Sequence, residues 1–124
     1  MDERGSSTAL QTRTKEFAIR CLRLAESLPR TKTADAVSRQ LIRSALSVGA
    51  NYRAACHARS KADFVSKMGI VEEEADESLY WMEMLVHAGL VKPERINTLM
   101  DEAREIVCMV VASIKTARSR ARTA

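Results

Sequence analysis

The feature that most constrains this chain is a series of apolar positions spaced alternately three and four residues apart, running almost from end to end and interrupted only around Pro29, Ser60 and Pro93. That spacing lines side chains along one face of an α-helix, whereas a strand would need alternation at every second residue. Leu10, Phe17, Cys21, Leu24 and Leu28, widened by Ala18, Leu22 and Ala25, predict a first helix from Thr12 to Leu28. Pro29 ends it, because a proline ring clashes with a continuing helix. Ala34, Val37, Leu41, Ala45, Val48 and Tyr52 predict a second, capped by Thr31 or Thr33 and reaching Ala58. Ser60 with Asp63 three residues on resembles a capping box, and Phe64, Met68, Val71, Ala75, Ser78, Met82 and Leu85 carry a third helix to Gly89. Pro93 suits the first turn of a fourth, whose stripe is Ile96, Met100, Ala103, Val107, Val110, Ile114 and Ala117.

Short connectors make successive helices antiparallel, and three-four spacing favours shallow crossing angles. The expected fold is all-α, a left-handed antiparallel up-down-up-down four-helix bundle. A chain of 124 residues suits one core, and 4 Gly and 2 Pro leave little material for the turns of an all-β fold. Residues 1–11 are expected to form a flexible N-terminal segment, 12–118 the bundle and 119–124 a basic C-terminal tail. The first seventeen residues, MDERGSSTALQTRTKEF, hold no apolar run like a signal-peptide core, and no stretch is long and apolar enough to span a membrane. A cytoplasmic protein without membrane contact is expected. Cys21, Cys56 and Cys108 are odd in number and far apart, so they read as small buried hydrophobes and not as disulfide or zinc ligands.

The segment SVGANYRAACHARSKADFVSKMGIVEEEADESLYWMEML, residues 47–85, resembles the bacterial four-helix bundle protein family. That family includes proteins encoded in intervening sequences of large-subunit ribosomal RNA genes and is similar to the accessory variability protein of diversity-generating retroelements. The likeness extends from about Thr14 to Arg118 and is most specific at S-V-x-A-N, at the Arg-Ser before Asp63-Phe64, and at Glu77. Many relatives read N-I-A-E-G from the asparagine, whereas Asn51 is followed here by Tyr52-Arg53-Ala54-Ala55, so roles attached to that Glu-Gly do not carry over. The resemblance implies a homo-oligomer, typically a pentameric ring, and no enzyme activity. For the retroelement relatives it implies binding to nucleic acid, RNA or DNA, and to a reverse transcriptase.

The charge is uneven: residues 30–67 hold eight Lys or Arg against two Asp, and residues 72–105 hold ten Asp or Glu against three Lys or Arg. On the second helix Arg39, Arg43, Arg53 and His57 fall within about an 80° arc opposite the apolar stripe, with Arg59 and Lys61 just beyond. Such a ridge can neutralise phosphates, and Arg118, Arg120 and Arg122 extend it into the tail. The alternatives are a solvated helix face, pairing with the acidic third helix of another subunit, or a tail that complements the last helix dipole. Phe17, Tyr52 and Phe64 sit on core stripes, which leaves no stacking platform and makes any nucleic-acid binding backbone-directed.

A second apolar stripe on the third helix, Ile70, Trp81, Met84 and Ala88 with Glu77 beside Trp81, is expected to meet another subunit; the alternative is a wide face inside one monomer. Asn51 and Glu77 are structural polar candidates, with Glu77 expected to pair with an arginine or Asn51, or else to face solvent. A di-metal carboxylate site would need Glu-x-x-His on two helices, and none occurs; Glu83 and His87 are four apart with no second such pair. Cys56 and His57 point about 100° apart on their helix, so no nucleophile-base pair forms. The expectation is a non-enzymatic homo-oligomeric scaffold without cofactor or metal whose basic surface binds RNA. The runner-up is a protein adaptor that docks a partner through the third helix without binding nucleic acid.

Overall fold

The computed structural model describes the backbone of residues 3–123 and the side chains of residues 8–120. It contains four helices, α1 (Glu3–Glu26), α2 (Lys32–Cys56), α3 (Lys61–His87) and α4 (Pro93–Thr123), and no strand among the described residues. Each helix packs on its neighbours in the order α1, α2, α3, α4 and back to α1, forming a four-helix bundle.

The ends of the inner helices follow from local chemistry. Thr31, not Thr33, caps α2, its hydroxyl accepting from the Ala34 amide at 3.2 Å. Ser60 caps α3 by accepting from the Asp63 amide at 3.0 Å, while the Asp63 carboxylate accepts from the Arg59 amide at 3.3 Å. α3 stops in a Schellman motif: the Leu90 amide donates to Leu85 O at 2.9 Å and the Gly89 amide to Val86 O at 3.0 Å. That turn needs the positive φ of 74° that Gly89 adopts.

The outer ends differ from the expectation. α1 begins at Glu3 and not at Thr12, and α4 continues to Thr123 through the expected tail. Those stretches carry no apolar stripe to signal a helix, yet a docked segment extends its helix at little cost once nucleated. The flexible segment expected over residues 1–11 falls largely on positions whose side chains lie outside the described residues, as does the side chain of Arg122.

The core is assembled from the expected stripes. Phe17, Leu41, Met68, Met82 and Leu85 are buried, while Phe64, Val37 and Val107 are half-buried at its margin. The α2–α3 contact is the most extensive. Small residues line it: Ser44, Ala45, Ala75 and Ser78 are fully buried. The two serine hydroxyls lie 2.8 Å apart, and each is within hydrogen-bond distance of a carbonyl in its own helix, Leu41 O at 3.2 Å and Glu74 O at 2.9 Å, so neither buried oxygen is orphaned.

α1 and α4 make the least contact and are joined instead by side chains. Arg13 spans the seam, donating twice to Glu102 at 2.7 Å and also to Glu105. Nearer the other end Arg20 reaches Thr98 at 3.1 Å, and Arg95 reaches Ser27, which fixes the antiparallel register of these helices. The hydrogen bonds from Arg13 hold the Glu102 carboxyl below its ordinary value of 4.5, against the opposing cost of burial. A carboxyl held low in the folded state contributes stability that is fully present above its unfolded value and lost as pH falls through the lowered one. The melting temperature is therefore expected to drop as pH falls below about 4.5, and Arg13→Gln to flatten that drop. Near neutral pH the substitution should cost about 1 kcal/mol, kept small because a guanidinium a third exposed is well screened. Thermal melts across that range check this, and identical acid sensitivity in the two proteins would refute it.

Candidate nucleic-acid interface

In an up-down-up-down bundle the C-terminus of α2, the N-terminus of α3 and the C-terminus of α4 come to one end. An open cleft of about 420 Å³ lies there, lined by Lys61, Ala62, Val65 and Ser66 of α3 and by Ala117 and Arg118 of α4. Residues more than fifty positions apart thus set two cations on one small apolar hollow. Arg53 lies on the last turn of α2, His57 caps its end, Arg59 is on the connection to α3, and Lys115 on the last stretch of α4; all four are exposed. The carboxylate at the start of α3, Asp63, is already occupied: Lys67 donates to it at 2.7 Å, and that hydrogen bond is the main reason its carboxyl sits below the ordinary value. Arg120 is exposed two residues beyond Arg118, about 200° around α4 from it.

The ridge expected along α2 is not continuous. Arg39 is exposed but lies about 21 Å along the helix from Arg53, at about 1.5 Å per residue. Arg43 is drawn sideways to α3, where it donates to Glu74 at 3.0 Å and to Glu77. Those carboxylates, Glu77 first, hold its guanidinium charged. Between the two halves stand Leu46, 48% exposed, and Ala50. The cations of the expected ridge are therefore split: Arg53, His57, Arg59 and Lys61 group at one end of the bundle and Arg39 stands apart from them, while Arg30, Lys32 and Arg95 are exposed toward the opposite end.

Asn51 does not meet Glu77; its side-chain amide donates to Ser47 O of its own helix at 2.9 Å. Glu77 has the arginine partner, within the chain. On the second stripe Ile70 is exposed, Met84 half-buried and Trp81 packed partly against the core, its Nε1 buried without a hydrogen-bond partner. Tyr80, absent from the sequence reading, is half exposed and meets the Trp81 ring edge to face at 5.0 Å. Ile19 of α1 is likewise exposed and had no signal beyond its position off the core stripe.

Of the cysteines only Cys21 is buried as expected; Cys56 is half-buried and Cys108 exposed, because Cys108 falls between the buried positions Ile106 and Val110 of α4. Burial pushes the Cys21 thiol up to about 12, far from a reactive thiolate. Among the described residues no group of three or more His, Cys, Asp or Glu is placed to hold a metal ion, and no helix is long and apolar enough to cross a membrane.

The model of the family described as 23S rRNA-intervening sequence protein matches residues 8–112. A crystal structure of a protein of unknown function from the S23 ribosomal protein family of Bacteroides thetaiotaomicron is similar, with 32% identity, a TM-score of 0.82, and 88% of this chain and 97% of that one covered. No curated protein matches the chain.

Proposed function

The chain belongs to the 23S rRNA-intervening sequence protein family, and from that premise we propose that it is a non-enzymatic, homo-oligomeric scaffold that engages RNA phosphates through the basic end of its bundle. The pentameric ring is the oligomer that the resemblance implies, and the proposed compartment is the cytoplasm. The observation that carries the reading is the convergence of Arg53, His57, Arg59, Lys61, Lys115 and Arg118 from three segments onto one end, where the acid Asp63 is occupied by Lys67. Each phosphate so contacted releases counterions, and a ring that repeats the end multiplies weak contacts into avidity. The half-exposed Tyr80 stands well along α3 from this end, which favours backbone-directed over base-stacking recognition.

Light-scattering mass on size-exclusion chromatography, with and without RNA at about 50 mM and about 200 mM salt, tests both halves. The expected result is a fivefold multiple of 13.8 kDa that shifts with RNA at the lower salt and loses the shift at the higher. A monomer indifferent to RNA would overturn the scaffold and leave the adaptor reading, which the exposed Ile70 and Tyr80 on α3 would then serve.

A further inference from the structure

A groove of about 300 Å³ runs between α1 and α2 on the outside of the bundle. It is floored by the buried Thr14 and Ala18, walled by Ile19 and Leu46, and flanked by the cation Lys15, with Arg53 at its end nearest the basic end of the bundle, and no carboxylate lines it. Ile19 and Leu46 are 46% and 48% exposed, so the groove leaves two large apolar side chains in water. From Gln11 to Leu22 its α1 wall is about 16 Å long.

The other two exposed large hydrophobics, Ile70 and Tyr80, lie on α3. With Glu73 and Met84 they step three, seven and four residues apart, which keeps all four within about an 80° stripe of the helix. Ile70 and Tyr80 are about 15 Å apart along the axis. Exposed Glu73 lies between them and exposed Asp76 just beside the stripe, and neither has an ion-pair partner among the described residues. One surface is thus an apolar groove with cations, the other an apolar ridge with carboxylates, and their lengths agree.

We propose that the α3 stripe of one copy of this chain seats in the α1–α2 groove of a second copy. The proposal rests on the homo-oligomer reading and deepens it by naming the two surfaces that meet. They are different surfaces on different helices, so the contact is head-to-tail, and a head-to-tail contact gives either a closed ring or an open filament. The heights of the surfaces decide between them. Ser44 of α2 stands opposite Ser78 of α3. Counting away antiparallel, Ile70 is level with Tyr52 and Tyr80 with Ile42, so the stripe overlaps the groove residues Leu46 to Ala50, and because Gly49 faces Thr14 the same count sets it beside the α1 wall from Gln11 to Cys21. Stripe and groove therefore share one height along the bundle axis, and successive copies join without a rise. The contact closes a ring about an axis along the bundles, and every basic end then faces the same side.

Leu46→Glu spoils only the groove and Tyr80→Lys only the stripe, and both positions are exposed enough to leave the fold intact, which circular-dichroism melts confirm beforehand. Each variant alone is expected to run at the monomer mass of 13.8 kDa, without RNA present. An equimolar mixture should give a dimer of twice that mass and nothing larger, because one variant retains the stripe and the other the groove. Either variant keeping the wild-type mass, or a mixture that stays monomeric, overturns the contact. As a second route, Glu73→Lys and Lys15→Glu should each lower the mass and together restore it; failure of the pair to restore it counts against the proposal. A wild-type chain that is monomeric at every concentration removes the oligomer reading itself, whereas an oligomeric wild type with unaffected variants removes only this contact.

Discussion

Phe17→Ala is expected to destabilise the protein by about 3–5 kcal/mol, the largest effect of any single truncation in the bundle. Phe17 is 1% exposed and sits on α1, the helix with the least support: its packing on α2 is less extensive than that between α2 and α3, and its seam with α4 is mostly polar side chains. Few large side chains hold α1 down, so the cavity left by the ring has little around it that can collapse inward. The loss should appear in chemical denaturation as a lower midpoint, and in native-state hydrogen exchange as α1 amides opening before those of α2 and α3. Glu16→Ala, one residue away but exposed and outside the groove, is the control and should stay within about 0.5 kcal/mol of wild type. Equal losses at the two positions would mean that α1 is not held by its buried face.

The difference between those two neighbours was visible in the sequence, because a buried helix face is a local property of spacing. The stripes through Phe17, Leu41, Met82 and Leu85 needed only the helical period. Where the pattern slipped, on α4, the three-four alternation selects Val107, whereas Ile106 is buried and Val107 half-buried; the two flank the stripe, and the neighbouring helices set which flank is covered. The candidate site was less legible because it is not local. A helical wheel puts Arg39, Arg43, Arg53 and His57 on one arc, but it contains no neighbouring helix, and so it cannot show Glu74 and Glu77 taking Arg43. Nor can it show Lys61 and Arg118, far apart in the chain, on one cleft. The exposure of Leu46 and Tyr80 also depends on how helices are placed around them, so the groove and its complement emerge only with the fold.

The distinction between a ridge and an end carries the other large expected effect. Lys61→Glu with Arg118→Glu should weaken RNA binding at least tenfold at about 50 mM salt. With two phosphate contacts gone at about 0.7 each for a single strand, the fall of log affinity with log salt should be shallower by roughly 1.4. Both residues are exposed, and a glutamate on the first turn of α3 suits the helix dipole, so the fold should survive; Arg118→Glu near the end of α4 costs at most a few tenths of a kcal/mol. Arg39→Glu introduces the same charge change on the far half of α2 and should alter affinity by less than about twofold, since a charge about 21 Å from Arg53 lies beyond the screening length of about 10 Å at 0.1 M salt. Salt titrations of fluorescent RNA binding would separate the two arrangements. If Arg39→Glu weakens binding as much as the double variant, phosphates track the length of α2 and the basic end is not the site. If only the double variant does so, the interface is the one that the bundle assembles from α2, α3 and α4 together.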